Sequence, residues 1–363
     1  MKKILLILIL SISIIGLSNE KKLNNKKVIK NAVNMNSGKL NYIEGIKNPE
    51  DLVHIPNTNW IISSGMAPNS GLHLVNIKNK KVEKIEYNTN TLDIYSDMKE
   101  PVSEELQAHG ISIRDIGNKQ YKLYVVAHHG KDEIHDLANA KGLESIEIFN
   151  INMKKEKPVF TWQGRVKLPE GLVGNAVVSD TKGGIYTTVA LHPGNTAMDF
   201  FGNKPTGAIY YLKEGEKEFK KLNGTELIGN NGIEISKDGK SLYVVSMDGI
   251  SKFEILDING EKEVKLIKTQ KINVGLGDNI HWYKDELIIS ASRLENCPNN
   301  KPDFSCMKGY HVSTINPETL KITTILKGEN SDKFSGVSVV LPIGNTLWFG
   351  SFTGNVIAYR KFK

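Results

Sequence analysis

Polar residues recur at the same position before a series of short apolar runs, and their types could bind a metal ion. The runs begin with LVHI, GISI, AVVS, GIEI and IHW, and the residues before them are Glu50 with Asp51, His109, Asn175, Asn231, and Asp278 with Asn279. A single Asn or Asp there would be an ordinary turn or capping residue. The same position in four units, each with a carboxylate or carboxamide, favours a shared site over four separate turns.

Carboxylate and amide oxygens without sulfur suit Ca²⁺, which takes six to eight oxygen ligands at about 2.3–2.6 Å. Zinc would favour imidazole or thiolate ligands. The residue types therefore predict a calcium ion where these side chains converge.

Two histidines lie near this predicted site. His109 opens one strand, a turn follows at Gly117 and Asn118, and the return strand ends at His128, so we expect the two imidazoles to be neighbours. The same construction returns His192, Asp248 and Arg293 to that face. A histidine beside a bound cation can take a proton from water. The alternative is that the histidines of HHGKDEIHD are rim residues of a polar loop.

These residues stand on repeated pairs of strands. The hairpins are DLVHIPNTNWIISSG, GISIRDIGNKQYKLYVVAH, AVVSDTKGGIYTTVAL, GIEISKDGKSLYVVSM, IHWYKDELIISAS and VSVVLPIGNTLWFGSF. Further strand candidates lie between them, which gives two hairpins in each unit of about 50 to 65 residues. The pattern predicts an all-β fold, a six-bladed β-propeller with four-stranded antiparallel blades around a central metal-binding channel. A β-sandwich is the alternative, but it would not keep the same hairpin in phase so often.

The N-terminal residues predict export. Residues 1–18, MKKILLILILSISIIGLS, have a basic start, an apolar run too short to span a membrane, and small residues before a cleavage point at Ser18. An uncleaved anchor is the alternative. A Lys/Asn-rich leader follows at residues 19–40, and residues 41–363 form one propeller domain. We expect the mature protein to be periplasmic or extracellular, without stable membrane insertion.

Charge and cysteine content narrow the choice of partners. The chain has 47 Lys and Arg against 40 Asp and Glu, a net charge of +7, which falls to +5 without Lys2 and Lys3. The excess of positive charge is diffuse and lacks interleaved aromatic residues, so no nucleic-acid partner is expected.

Cys297 and Cys306 share one loop, and in an exported chain we expect them to form a disulfide. Free thiols are the alternative.

Several motifs resemble those of the paraoxonases, a family of calcium-dependent six-bladed propeller lactonases and arylesterases. They are EDLVHIPNTNWIISSG, HGISI, LYVVAH, GNAVVSD, NGIEISKDGKSLYV and DNIHW, in family order from about Glu50 onward. The chain also resembles the broader gluconolactonase and strictosidine-synthase-like propellers. The resemblance implies that the catalytic calcium is bound by Glu50, Asn175, Asn231, Asp278 and Asn279. It also implies that His109 and His128 form the family's histidine dyad.

The resemblance has clear departures. It implies a second, structural calcium at Asp51 and the carbonyl of Ile111, but Ala176 stands where the family has a third, acidic ligand. Val189 and Ala190 replace a polar pair, and Arg293 replaces a histidine at the channel mouth. The family's disulfide between the chain ends has no counterpart.

The expected activity is hydrolysis of a lactone or other carboxylic ester, with Ca²⁺ polarising the carbonyl and the histidine dyad activating water. A small-molecule ester or lactone is the only partner implied, and the sequence does not indicate an oligomeric state. Met198, Phe200 and Phe201, in TAMDFFGNKPTG, could form a pocket wall, or this segment could pack as an ordinary loop. The alternative function is a non-catalytic, calcium-stabilised propeller that binds a partner.

Overall fold

The structure is a computed structural model that describes residues 39–92, 95, 106–129, 143–196, 199, 204–247, 249–273, 275–297 and 306–362. The predicted signal peptide and nearly all of the predicted leader lie outside these residues.

Strands make up most of the described chain. In chain order they are β1 Asn41–Glu44, β2 Leu52–His54, β3 Trp60–Gly65, β4 Gly71–Asn76, β5 Val82–Lys84, β6 Tyr87–Thr89, β7 Leu106–Gly117, β8 Gln120–His129, β9 Leu143–Asn152, β10 Val159–Lys167, β11 Gly174–Ser179, β12 Ile185–Val189, β13 Ala208–Leu212, β14 Lys220–Lys221, β15 Ile233–Ile235, β16 Ser241–Ser246, β17 Gly249–Ile258, β18 Glu261–Gln270, β19 Leu276–Tyr283, β20 Glu286–Leu294, β21 Met307–Ile315, β22 Ile322–Glu329, β23 Val337–Ile343, β24 Thr346–Ser351 and β25 Val356–Lys361. All six predicted hairpins are present as antiparallel pairs.

The strands form six sheets arranged as a six-bladed β-propeller, which confirms the predicted fold. Blade 1 is β2 to β5, blade 2 is β7 to β10, blade 3 is β11 to β14, blade 4 is β15 to β18 and blade 5 is β19 to β22. Blade 6 contains β23, β24 and β25. The first strand of each blade is the innermost, and β2 contacts both β7 and β23, so the inner strands close into a ring around a channel.

The N-terminal strand completes the last blade. Strand β1 pairs antiparallel with β25, with Asn41 opposite Tyr359 and Glu44 opposite Val356. Blade 6 therefore takes its outermost strand from the start of the propeller and its other three strands from the end. Blade 2 departs from the expected four strands, because β6 adds to its outer edge in parallel with β10.

Apolar side chains fill the space between neighbouring blades. Between blades 1 and 2, for example, Ile62 and Leu74 belong to the same buried cluster as Val125 and Phe149. Alternate residues of each strand face opposite sides of the sheet, so every blade can pack against two neighbours. Of the described residues, no helix is long and apolar enough to cross a membrane.

The inner strands come close together at the mouth where they begin. A Cβ atom on Gly110 would lie 2.6 Å from the Asn175 carbonyl oxygen and from the Ala176 Cα atom, and one on Gly232 would lie 2.6 Å from the Asp278 carbonyl oxygen. Only glycine permits such close approach without a shift of the neighbouring backbone. The glycines of HGI and NGI thus bring the predicted site residues of adjacent blades together.

Candidate functional site

The predicted ring residues lie where the pairing of the inner strands is interrupted. The register shifts between Ala108 and Ile111, Gly174 and Val177, Gly277 and Ile280, and Val337 and Val340. His109, Asn175, Asp278 and Asn279 therefore lie within irregular strand starts, whereas the sequence analysis placed them before the strands. Such irregularities re-aim side chains away from the regular alternation. Glu50 and Asn231 precede β2 and β15, as predicted.

We call the five predicted ligands the oxygen ring; side-chain contacts between blades link four of them, and the backbone of the fifth, Asn175, lies against Gly110 at the same mouth. The oxygen ring consists of Glu50, Asn175, Asn231, Asp278 and Asn279. The Asn279 side-chain amide donates to Glu50 Oε1 at 2.6 Å, and the Asn231 side chain hydrogen-bonds the Asp278 carboxylate. The structure thus joins residues of blades 1 and 5, and of blades 4 and 5, at one mouth of the channel.

Ser338 is a member of this mouth that the sequence analysis missed. It lies in the register shift of β23, the position that corresponds to His109 and Asn175 in their blades. Its hydroxyl donates to the Glu50 backbone carbonyl at 2.5 Å. Ser338 therefore fixes the backbone that carries the Glu50 carboxylate.

Three buried oxygens of the ring have no hydrogen-bond partner among the described residues: Glu50 Oε2, Asn175 Oδ1 and Asn231 Oδ1. Buried polar atoms normally have partners, so these acceptors are available to bind an ion or water. A hard divalent cation fits this all-oxygen donor set. Within the described part of the chain, no three His, Cys, Asp or Glu side chains are grouped closely enough to bind a metal ion by themselves.

The charges of the ring also favour a cation. Burial, and then the charges of Asp278 and Asp51, raise the pKa of Glu50 well above its usual value. Burial also raises the pKa of Asp278 to about 7, against the hydrogen bond from Asn231 that lowers it. Without a cation, Glu50 and Asp278 favour their protonated forms, because two carboxylate anions would otherwise share a poorly solvated site.

His109 and His128 are neighbours, as the hairpin predicted. His109 Nδ1 lies 2.9 Å from His128 Nε2, and His109 Nε2 lies 3.9 Å from Glu50 Oε1. Both imidazoles are buried. The dyad therefore lies next to the Glu50 carboxylate of the oxygen ring.

A third residue completes the histidine pair, and the sequence analysis missed it. Glu144 stands directly opposite His128 in the pairing of β8 with β9, and its Oε2 lies 2.6 Å from His128 Nδ1. A carboxylate can only accept, so His128 Nδ1 carries the proton and His128 Nε2 accepts from His109 Nδ1. If His109 is neutral, its one proton is on Nδ1. Its Nε2 atom then has a free lone pair and lies beside the oxygen ring.

Burial, followed by repulsion from His128 when that imidazole is also protonated, lowers the pKa of His109 well below its usual value. The His109 imidazole is therefore neutral at pH 7. An unprotonated Nε2 with a fixed tautomer can accept a proton from a bound water or hydroxyl group.

Asp51 and Ile111 meet below the oxygen ring, but in an arrangement unlike the one the resemblance implies. Asp51 Oδ2 accepts from the Ile111 backbone N–H at 2.9 Å, and Asp51 Oδ1 accepts from His281 Nε2 at 2.8 Å. Burial disfavours the imidazolium of His281, but the charge and hydrogen bond of Asp51, together with the charge of Glu234, outweigh it and raise the pKa of His281. His281 was not singled out from the sequence.

The predicted pocket residues are only partly described. His192 Nε2 lies 3.2 Å from the Tyr210 hydroxyl, and Arg293 forms ion pairs with Glu295 and Glu329, so the recorded partners of both lie outside the ring. Met198, Phe200, Phe201 and Asp248 lie outside the described residues. Their roles remain predictions.

Cys297 and Cys306 form the predicted disulfide, with an S–S distance of 2.03 Å. It joins the end of β20 to the start of β21 in blade 5.

Comparison with known proteins supports the fold. The chain has a TM-score of 0.53 to a provisionally assigned gluconolactonase, at 13% identity, over 92% of this chain and 94% of that one. It has the same TM-score to a luciferin-regenerating enzyme, at 12% identity over 89% and 95% of the two chains. The Malassezia sympodialis allergen Mala s 1 also gives 0.53, at 13% identity over 89% and 96%.

No protein-family model matches the sequence. No curated protein matches it either. At these identities the similarities to solved structures establish the six-bladed propeller fold and leave the paraoxonase resemblance a prediction.

Proposed function

We propose that this chain is an exported, calcium-dependent hydrolase of lactones or other carboxylic esters. The observation that carries the proposal is the line of contacts from Glu144 through His128 to His109, which ends at the oxygen ring. A metal-binding mouth with an adjoining unprotonated base has the two parts that ester hydrolysis needs.

The chain's own residues supply the proton transfers. His109 Nε2 takes a proton from water as the water oxygen bonds to the carbonyl carbon, and the proton then passes to the leaving oxygen as the ester C–O bond breaks. His128 accepts the His109 Nδ1 hydrogen bond and keeps that tautomer in place. When bound, Ca²⁺ would supply electrostatic stabilisation of the charge that develops on the carbonyl oxygen.

Glu144 acts as a positioning residue in this scheme. Its hydrogen bond to His128 orients the imidazole, and its negative charge stabilises the positive charge that the dyad acquires when His109 takes a proton. It does not touch the oxygen ring in the described contacts, so calcium binding should not depend on it.

The fold comparisons agree with this proposal at a coarse level. Two of the similar structures are an assigned gluconolactonase and a luciferin-regenerating enzyme, so related propellers have been associated with enzymes. We propose a lactone as the first substrate class to test for this reason, and because the ring and the dyad share one mouth.

A non-catalytic, calcium-stabilised propeller is the second candidate. It is favoured by the apolar residues Val189 and Ala190 at the end of β12 and by the ion pairs that occupy Arg293. A propeller of this kind would bind calcium but would hydrolyse none of the substrates tested.

The test is hydrolysis of phenyl acetate and a series of γ- and δ-lactones, in calcium and in EGTA. We expect hydrolysis that needs calcium, and His109→Gln should lower kcat by about 10²–10⁴-fold. Glu144→Gln should lower kcat by at least about tenfold while calcium binding is unchanged. His54→Gln, a histidine bonded to the Thr58 carbonyl away from the ring, is the control. Calcium binding without any hydrolysis would favour the second candidate.

A further inference from the structure

A second polar layer lies in the channel next to the oxygen ring, around the buried carboxylate of Asp51. The side chain of Asp51 is 3% exposed and that of its partner His281 is 15% exposed. Asp51 precedes β2 in blade 1, and His281 lies in β19 of blade 5. The contact between them therefore crosses the channel and joins two blades that are not sequential neighbours.

Hydrogen bonds occupy both oxygens of Asp51. Oδ1 accepts from the Leu52 N–H at 2.8 Å and from His281 Nε2 at 2.8 Å. Oδ2 accepts from the Ile111 N–H at 2.9 Å. Neither oxygen appears among the unpartnered buried atoms, in contrast to Glu50 Oε2 in the oxygen ring.

A cation at this place would need donors that the chain does not present. Ile111 directs its N–H to Asp51, so the backbone offers a hydrogen where a cation would require an oxygen. Ala176, at the position of the missing acidic ligand, packs in an apolar cluster with Val178 and Tyr186. The Ala176 carbonyl already accepts from the Thr187 hydroxyl at 2.9 Å.

A second carboxyl group faces His281 from the neighbouring blade. Burial raises the pKa of Glu234 to about 7, and the charge of His281 opposes that rise. The Glu234 Oε1 atom accepts from the Ile235 N–H at 2.9 Å. His281 thus donates to Asp51 and is close enough to Glu234 to interact with its charge.

We propose that the His281 imidazole takes the place of a second cation, so that this chain binds a single divalent ion, in the oxygen ring. Asp51 would then be held by hydrogen bonds instead of by metal coordination. The contact between blades 1 and 5 through Asp51 and His281 would then not depend on calcium. The proposal concerns the channel alone and does not require the protein to be an enzyme.

The first test counts calcium per chain by equilibrium dialysis against ⁴⁵Ca²⁺, with protein stripped of metal beforehand. We expect one ion for the native sequence and one for the control His54→Ser. The double variant Ala176→Asp with His281→Ser removes the donor and restores the missing acid, and it should bind two ions. Two ions bound by the native chain would overturn the proposal, as would a folded double variant that gains none.

The second test measures melting in EGTA, where calcium cannot contribute. His281→Ser leaves the buried Asp51 carboxylate without its side-chain donor, so the melting temperature should fall by roughly 5 °C or more. The control His54→Ser should change it far less. Melting of His281→Ser at the native temperature would show that the imidazole does not stabilise this layer and would overturn the proposal.

The two proposals fail in different ways. A native chain that binds no calcium would overturn both proposals, since each places an ion in the oxygen ring. A native chain that binds one ion and hydrolyses no lactone would remove the proposed function and leave this inference intact. A native chain that binds two ions and hydrolyses lactones would retain the proposed function and remove the role of His281.

Discussion

Chelation should destabilise this protein, and the effect should grow as the pH rises from 5 to 8. The cause is the pair of buried acids in the oxygen ring. The pKa of Asp278 is raised from 3.8 to about 7, mainly by burial, and the pKa of Glu50 is raised for the same reason and by the charge of Asp278. A carboxyl group with a raised pKa in the folded state stabilises the fold only while it is protonated.

The direction and size follow from the shift. In EGTA, the stability that Asp278 contributes is complete below about pH 4, its unfolded pKa, and is lost as the pH rises through about 7. A shift of about three pKa units corresponds to at most about 4 kcal/mol. Asp278 keeps some exposure to the channel, so the effect should be smaller, roughly 2–3 kcal/mol. That is a melting shift of about 4–10 °C.

Bound calcium replaces these protons, so a calcium-saturated protein should not show this loss. The assay is thermal unfolding at half-unit pH steps, with saturating calcium and with EGTA. The difference in melting temperature should be small at pH 5 and largest near pH 8. Asp278→Asn should flatten the EGTA curve, while the control Asp285→Asn, an exposed acid paired with Lys237, should not. A difference that does not change with pH would refute the argument from the buried acids.

Three further predictions can be tested separately. Asn231→Ala removes a neutral ring oxygen, so hydrolysis should fall and partly recover at high calcium, whereas added calcium should not restore His109→Gln; equal recovery of both variants would contradict separate roles. Reduction of Cys297–Cys306 should cost roughly 2–3 kcal/mol of unfolding free energy, and thiol titration of the denatured, unreduced protein should detect no free thiol. Burial lowers the pKa of His73 from 6.5 to about 4, so it should contribute up to about 3 kcal/mol that is present above pH 6.5 and lost as the pH falls through 4. Urea unfolding of His73→Gln should show a weaker acid dependence between those limits, and an unchanged slope would contradict the assignment.

The architecture could be predicted because its evidence is local. Each hairpin combines apolar alternation with turn residues such as Asn118, which has a positive φ of 53° in the structure. The convergence of Asn175, Asn231 and Asp278 at one mouth could then be predicted, because the inner strands of all blades run in the same direction. The position of Asn175 and Asp278 within irregular strand starts could not be predicted, since it depends on crowding between neighbouring inner strands, as at Gly110.

The missed site residues depend on contacts between strands. Glu144 lies opposite His128 only through the register of β8 with β9, and a long connection separates the two strands in the sequence. A period of two would have placed His281 on the same side of β19 as Asn279, so that residue could have been found from the sequence. Its bond to Asp51, across the channel, depends on how the ring closes.

The pairing of β1 with β25 affects how this chain can fold during synthesis. Strand β1 leaves the ribosome well before its partner strand, since Asn41 and Tyr359 are 318 positions apart (359 minus 41). Until then β1 is an unpaired edge, and the long separation makes this pairing entropically costly and slow to form. Removal of residues 356–363 should therefore leave β1 without a partner and β24 as an open edge of blade 6, where the chain could pair with other copies of itself. The arrival of β25 thus determines when the newly made propeller can close into a ring.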